Sequence, residues 1–136
     1  MKRLLGLGGV SACVLLACSA GREATIDVPH GVYAAEWVSV GDSANLLTDD
    51  APEFDFRGDS LWASVSCNEL NADYGVQNSQ LVVSNREVTA VGCPQDEISV
   101  QDALVRLVDS SPTFEVDGEL LRLTGDGVEA RLRQKP

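Results

Sequence analysis

Hydrophobic and polar residues alternate with a period of two over most of the chain from Tyr33 onwards, and turn-forming residues interrupt the alternation at short intervals. Alternation of this kind predicts half-buried β-strands, and several short strands in succession predict a barrel or a sandwich. Asp117-Gly118 is the strongest hairpin signal, because Asp-Gly favours tight two-residue turns, and Asp126-Gly127 predicts a second turn. We therefore predict a mainly β domain of about seven or eight antiparallel strands.

Apolar side chains mark one face of each predicted strand. Phe54 and Phe56 share a face, and Trp37 and Phe114 are further candidates for the core. The segment from Asn68 to Asn78 is polar, and we predict turns there. The remaining alternating positions predict a strand that contains 61–67, two short strands on either side of 85–86, and further strands near the end of the chain. These positions are Leu61, Ala63, Val65, Cys67, Leu81, Val83, Val88, Ala90, Val116, Leu121, Leu123, Val128, Ala130 and Leu132.

Residues 96–109 have the periodicity of a helix. Pro94 precedes the first turn, where its missing N–H is not needed, and Asp96 and Glu97 suit the positive end of the helix dipole. The segment 110–112 (Ser-Ser-Pro) ends the pattern. We predict one helix, inserted before the last three strands and packed against an open end of a barrel-like sheet. The apolar stripe consists of Val100, Leu104, Leu107 and Val108.

The start of the chain has a different pattern. Lys2 and Arg3 are basic, residues 4–16 are small and apolar, and Leu15-Leu16-Ala17-Cys18 closes the run. This order is typical of a bacterial lipoprotein signal peptide, which predicts a diacylglycerol on the Cys18 thiol, further acylation such as palmitate, and cleavage before Cys18. The alternative is an ordinary secretory signal with a coincidental cysteine. The apolar run is too short for a permanent membrane span, which needs about 20 residues.

These observations divide the chain into three parts. We predict a signal peptide over residues 1–17, a tether over 18–32 and a folded domain over 33–136. The predicted location is the extracytoplasmic side of a bacterial cell envelope, where the acyl chains on Cys18 attach the protein to a membrane.

The charge of the chain narrows the choice of partners. The whole chain has a net charge of −11, and loss of Lys2 and Arg3 with the signal peptide lowers this to −13. Nucleic acid is excluded as a partner, because phosphate binding needs clustered Lys and Arg. An anionic membrane surface would repel the domain, so attachment has to come from the acyl chains. The charge also favours a basic protein partner, or serves solubility alone.

The positions of the four cysteines predict what becomes of each of them. Cys13 leaves with the signal peptide and Cys18 takes the lipid, which leaves Cys67 and Cys93 in a compartment that permits disulfides. A bond between them closes a loop of 27 residues and contributes roughly 3.5 kcal/mol in the chain-entropy account. Two free buried thiols are one alternative. A metal site is another, but two thiols fall short of the usual four ligands, so we predict no metal or other cofactor.

Catalytic candidates are weak. His30 is the single histidine and lies in the predicted tether, where no packed neighbours can orient it as an acid or base. Cys93 lies just before the helix, the one location that could activate a thiol. The acidic group of 49–50, Glu53 and Asp55 lacks the residue order of a preformed calcium loop. We expect that the protein is not an enzyme.

Trp62 has two open interpretations. It is out of phase with Leu61, Ala63 and Val65, so it points to the other side of that predicted strand. If the helix covers that side, Trp62 belongs to the core. If it does not, Trp62 faces outward and can contact a partner or lipid headgroups.

Several segments resemble signatures of the META/HslJ domain family. Ser66-Cys67-Asn68 followed by Asp73-Tyr74 resembles the family's Gly-Cys-Asn…Tyr, and residues 89–93 (Thr-Ala-Val-Gly-Cys) resemble its Thr-x-Met-Ala-Cys. Trp37 stands where the family has a tryptophan in its first strand. Residues 117–123 match the closing Asp-Gly-x-x-Leu-x-Leu.

The resemblance extends over roughly residues 33–133 and implies an eight-stranded antiparallel barrel-like sheet interrupted by a helix. Members of the family are often envelope lipoproteins, one is linked to heat shock and antibiotic tolerance, and no enzymatic activity comes with the family. Two positions depart from it: Ser66 replaces a glycine and Val91 a methionine. Serine does not easily reach backbone conformations that are open to glycine.

The sequence thus leads to two functional hypotheses. The first is a non-enzymatic, lipid-anchored envelope module that binds another envelope protein or acts in a stress response. The alternative is a carrier of a small apolar ligand inside the barrel.

Overall fold

The computed structural model describes residues 28–136. The predicted signal peptide, the predicted lipid-attachment residue Cys18 and residues 18–27 of the predicted tether lie outside the described residues. Within 28–136, no helix has the length and apolarity that crossing a membrane requires.

Eight antiparallel strands form a closed barrel in which each strand pairs with its neighbours along the chain and the last strand pairs with the first. One helix precedes the last three strands, so the predicted fold is confirmed. The elements are β1 (Gly31–Val40), β2 (Glu53–Arg57), β3 (Ser60–Ser64), β4 (Glu69–Gln77), β5 (Gln80–Val88), α1 (Gln95–Asp109), β6 (Thr113–Asp117), β7 (Leu120–Gly125) and β8 (Val128–Gln134).

The barrel is closed firmly on one side and weakly on the other. Strand β8 pairs with β1 along almost its whole length, from Tyr33↔Gln134 to Val40↔Val128. Strand β5 pairs with β6 through Gln80↔Thr113 alone. The chain leaves the end of β5, forms α1 and returns to β6, so the helix occupies the space where these two strands diverge.

Aromatic rings fill the centre of the barrel. Phe56 lies between Tyr33 and Tyr74, with ring centroids 5.7 and 5.5 Å away in edge-on arrangements, and Phe54 stacks beside it at 6.3 Å. Aromatic side chains bury large apolar areas, so this group contributes strongly to stability. The aliphatic part of the core includes Val38, Leu61, Ala63, Val65, Leu70, Leu81, Leu121, Leu123, Ala130 and Leu132.

Helix α1 packs at the end of the barrel where β1 finishes. Arg106 Nε donates to Asp126 Oδ2 in the β7–β8 turn at 2.9 Å, and the adjacent Gly127 O accepts from Gly41 N at 2.7 Å. All four residues of the predicted apolar stripe are buried, together with Ala103. Burial of this stripe closes that end of the barrel.

Strand β4 corrects one prediction. The polar segment from Asn68 to Asn78 forms a nine-residue strand over Glu69–Gln77, where turns were predicted. Leu70, Ala72 and Tyr74 alternate inward. The outward positions between them hold Asn, Asp and Gly, which are poor strand formers, and pairing with β3 and β5 overrides that preference.

Strand β5 corrects a second prediction made from the sequence. Two short strands were predicted around 85–86, whereas one strand runs from Gln80 to Val88. Asn85 adopts φ 52°, and the pairing with β4 shifts register at this point, between Asn71 and Asp73. A bulge therefore replaces the predicted turn, and the strand continues past it.

Strand β1 differs in two respects. It begins at Gly31, two residues before the predicted start of the folded part. Trp37, predicted as core, is half-buried on the outside of the barrel, where the Arg131 guanidinium lies 5.0 Å from its ring centroid. The pairing with β8 shifts register between Ala35 and Trp37, and this bulge moves Trp37 out of the inward phase.

Candidate functional site

A disulfide joins two loops at the helix-capped end of the barrel. Cys67 in the β3–β4 loop and Cys93 just before α1 are bonded, with their Cα atoms 5.8 Å apart, and the predicted pairing is thus present. Within residues 28–136, no group of three or more His, Cys, Asp and Glu side chains is placed to hold a metal ion. Cys93 is consumed by the bridge and is not a free nucleophile.

Asn68 lies beside the disulfide and has a fully used side-chain amide. Its Oδ1 accepts from Val91 N at 2.8 Å and from Thr89 Oγ1 at 2.9 Å. Its Nδ2 donates to Val91 O at 3.1 Å and to Gln101 Oε1 at 2.8 Å. Asn68 is 4% exposed, so these bonds are shielded from water. The side chain therefore binds the segment between β5 and α1 to the β3–β4 loop and to the helix.

Ser66 adopts φ 85°, in the region that glycine favours. This is the position at which the resemblance has a glycine. The unusual backbone conformation is therefore kept with serine in place, at a cost in strain.

Trp62 lies on the outer face of the barrel. It pairs with Asp55 on β2 and with Asn71 on β4, while its chain neighbours Leu61 and Ala63 point into the core. The indole is half-buried, and it lines an open groove of about 610 Å³, here called the Trp62 groove. No residue of α1 lines this groove, so the helix does not cover Trp62. The lining includes Val32, Glu53, Asp55, Arg57, Ser60, Trp62, Asn71, Asp73, Asn85 and Glu87.

Four carboxylates, those of Glu53, Asp55, Asp73 and Glu87, line the same groove as the indole. Asp55, 8% exposed, is bound by Arg57 at 2.6 Å, and hydrogen bonding to Asp55 together with its charge raises the pKa of Arg57. Glu53 is paired with Lys135. Asp73 accepts from Asn85 Nδ2 at 2.8 Å, a neutral donor.

Two of these carboxylates remain uncompensated in charge. Among the described residues, neither Asp73 nor Glu87 has a cationic partner within salt-bridge distance. The Trp62 groove therefore combines a half-buried, outward-facing indole with excess negative charge.

A second groove lies between β5 and the helix and is here called the β5–α1 groove. Its volume is about 910 Å³. The Asn68 network forms its base, since Asn68 and Gln101 both line it, and Val91 on its rim is 64% exposed. The other lining residues are Arg86, Val88, Thr89, Ala90, Gly92, Asp102, Val105, Arg106, Asp109, Ser110 and Asp126.

The remaining sequence candidates do not assemble into a site. His30 is exposed at the start of β1, where its carbonyl oxygen accepts from Gln134 Nε2 at 3.0 Å. The 49–50 pair lies in an exposed loop, whereas Glu53 and Asp55 are held in ion pairs on β2. The four carboxylates are thus divided between different surroundings.

Sequence reasoning identified Cys67, Cys93 and Trp62, but it missed the β5–α1 groove and the roles of Asn68 and Gln101. The Asn68 role had a signal, because an asparagine directly after a disulfide cysteine and before a strand is well placed to bind loop backbone. The groove had none, since it arises from the divergence of β5 and β6.

Solved structures share this fold at low identity. One NMR structure has 15% identity and a TM-score of 0.62, and the match covers 76% of this chain and 88% of that one. An NMR structure of a protein from Burkholderia xenovorans has 9% identity and a TM-score of 0.63, with coverage of 77% and 81%. No curated protein matches the chain. The META domain family model matches residues 27–136. The resemblance in the sequence is thereby confirmed, and the chain belongs to the META domain family.

Proposed function

We propose that this META-domain protein is a non-enzymatic, lipid-anchored module of the bacterial cell envelope that binds a basic partner protein, in a process such as a stress response. The observation that carries the proposal is the Trp62 groove, where a half-buried indole faces outward among carboxylates. Exposed aromatic residues in partly dry surroundings are typical anchors of protein interfaces.

The chemistry of the groove favours a partner with Lys or Arg at the contact. An ammonium or guanidinium group is attracted to the face of an indole, and Asp73 and Glu87 add negative charge beside it. In residues 28–136, nineteen acidic side chains outnumber seven basic ones. Such an excess also steers a basic partner towards the domain over longer distances.

The anchoring part of the proposal rests on the sequence around Cys18. Two acyl chains on one cysteine are sufficient for stable membrane attachment. Fourteen residues of random coil have a typical reach of roughly 20 Å, so a tether of that length would keep the domain close to the membrane surface.

The interior of the barrel gives less support to the alternative function, a carrier of a small apolar ligand. Phe54, Phe56, Tyr33 and Tyr74 fill the centre, and both large grooves open on the outside. Native mass spectrometry of the purified protein checks this directly. A lipid that stays bound to the domain, beyond the acyl chains, would favour the carrier function.

Cross-linking in intact cells tests the proposal, with the full-length protein as bait. We expect one dominant basic partner, which is lost with Cys18→Ala because that variant leaves the membrane. Trp62→Ala should reduce the cross-linked partner at least tenfold while the circular dichroism spectrum stays unchanged.

Trp37→Ala is the matched control, since Trp37 is also half-buried on the outside of the barrel but lies on β1, away from the Trp62 groove. It should keep the partner. Equal loss with both variants, or retention of Cys18→Ala in the membrane fraction, would contradict the proposal.

A further inference from the structure

Within residues 28–136, no strand pairs with the second half of β5 on the side away from β4. On its β6 side, Leu81 N donates to Pro112 O at 2.9 Å and Val83 N to Ser111 Oγ at 3.1 Å. Beyond Val83, the strand pairs with β4 alone among the described residues, because β6 has already diverged. Main-chain groups at such an edge form a template for another strand.

The direction of the main chain shows which groups are available. Thr89 N donates to Glu69 O on β4 at 3.0 Å. Main-chain groups of successive strand residues point alternately to the two sides. The N–H and C=O groups of Val88 and Arg86 therefore point away from β4, into the β5–α1 groove.

The groove beside this edge suits an extended peptide. Its volume of about 910 Å³ is at the upper end of the range for ligand pockets. Val88, Val91 and Val105 supply apolar contacts on its walls. Beyond the bulge at Asn85, the regular strand over 86–88 extends about 10 Å. The groove thus offers hydrogen bonds along one side and apolar surface along the other.

The charges that line the groove favour a basic peptide segment. Arg86 is paired with Asp109 at 2.7 Å and Arg106 with Asp126 at 2.9 Å. Asp102 has no cationic partner within salt-bridge distance among the described residues, so the lining has a negative excess. A second copy of this acidic domain would bring like charges together, whereas a basic segment complements the groove.

We propose that the β5–α1 groove binds an extended, basic and partly apolar segment of another protein, which adds to β5 as a further strand. This inference goes beyond the proposed function, since it concerns a separate surface and recognition by the main chain. It holds or fails independently of the Trp62 groove.

Synthetic peptides test it against the full-length protein in detergent. The first is a nine-residue peptide of alternating valine and lysine. The second has the same sequence with N-methyl groups along one edge, and in the third glutamate replaces lysine. We expect the first peptide to slow amide hydrogen exchange at Arg86 and Val88 at least tenfold, and the other two to bind at least tenfold more weakly in fluorescence anisotropy.

Variants at exposed valines locate the binding. Val91→Lys places a positive charge on the rim of the groove and should weaken the basic peptide at least tenfold. Val82→Lys is the matched control, because Val82 is an exposed valine too but lies on β5 outside the groove. This variant should leave binding unchanged. Both positions are exposed, so folding is retained.

Trp62→Ala separates this inference from the proposed function. Peptide binding that persists in Trp62→Ala and is lost in Val91→Lys supports the β5–α1 groove. Equal binding of the N-methylated peptide, no binding of the basic peptide, or a dimer in sedimentation that the peptide dissociates would overturn it.

Discussion

The Asn68 side chain binds three residues around the β5–α1 groove. Its amide satisfies the main-chain N–H and C=O of Val91 at once and also binds Thr89 and Gln101. An amide that donates and accepts in fixed directions cannot be replaced by a carboxylate, although the two have nearly the same shape.

Asn68→Asp should therefore destabilise the domain. A carboxylate still accepts from Val91 N and Thr89 Oγ1, but it cannot donate to Val91 O or to Gln101 Oε1. The loss of both bonds, with a charge buried at Asn68 in their place, costs about 2–3 kcal/mol. Urea unfolding measures the change. Asn78→Asp, at an exposed position in the β4–β5 turn, is the control and should change stability by less than about 0.5 kcal/mol. Equal stability of the two variants would contradict this role of Asn68.

Ser66→Gly should stabilise the domain. Ser66 adopts φ 85°, and a non-glycine residue in this region carries about 1 kcal/mol of strain. Ser66 is half-buried in the β3–β4 loop, where glycine adopts the same backbone conformation without that strain. Thermal unfolding should show a higher Tm for this variant. Ser64→Gly, within β3, should lower it, since Ser64 Oγ accepts from Glu53 N at 2.9 Å. A lower Tm for Ser66→Gly would show that the serine has a role besides its backbone.

At the level of elements, the β5–α1 segment depends on two constraints near its ends. The disulfide fixes Cys93 to the β3–β4 loop, and Asn68 fixes Val91. Without them, the segment that forms the rim of the β5–α1 groove would be held by the helix, by β5 and by the bonds between Thr89 and Glu69 alone.

Removing the disulfide should therefore affect both stability and the groove. The double variant Cys67→Ser with Cys93→Ser should have a free energy of unfolding that is lower by about 3.5 kcal/mol, as expected for a 27-residue loop. Urea unfolding of the oxidised protein, the reduced protein and the double variant measures this. Reduction should reproduce the variant, and no difference between oxidised and reduced protein would contradict the account.

The elements show where sequence prediction succeeds and where it does not. The helix was predicted within one residue of its observed start, because its apolar stripe and flanking Pro94 are local signals. Strand β4 was missed, because its outward Asn71, Asp73 and Gly75 resemble a loop, and only pairing with β3 and β5 makes them a strand. The inward alternation of Leu70, Ala72 and Tyr74 was nevertheless readable.

The candidate surfaces show the same limit. The outward direction of Trp62 follows from its phase relative to Leu61 and Ala63, which the sequence contains. The carboxylates around it come from β2, β4 and β5, so their meeting depends on register between distant segments. The free edge of β5 depends on where β6 diverges, which no local pattern records.

On the scale of the whole molecule, the buried tyrosines link stability to alkaline pH. Burial raises the pKa of Tyr33, opposed by the backbone of His30, and burial followed by the charges of Asp59 and Tyr33 raises the pKa of Tyr74. Both phenols therefore keep their protons to higher pH in the folded protein than the ordinary value of 10.0.

Stability should consequently fall as pH rises above 10. Between the unfolded and folded pKa values, the unfolded chain has released phenol protons that the folded protein still holds. The contribution of the two tyrosines to the free energy of unfolding is therefore intact below pH 10 and is lost above it. Urea unfolding at pH 8 to 11 measures the slope. The chain has two tyrosines, so the double variant Tyr33→Phe with Tyr74→Phe should have a flatter profile in this range. An unchanged slope would contradict the assignment.

The pairing of the first strand with the last has a consequence for biogenesis. The partners in β1 and β8 are separated by roughly 90 to 100 residues, so their contact contributes a high contact order, which slows folding. A chain that emerges from its amino end exposes β1 long before β8 has been delivered. The barrel can be completed only when the final strand arrives, so the domain has to be kept from aggregating until its synthesis is finished.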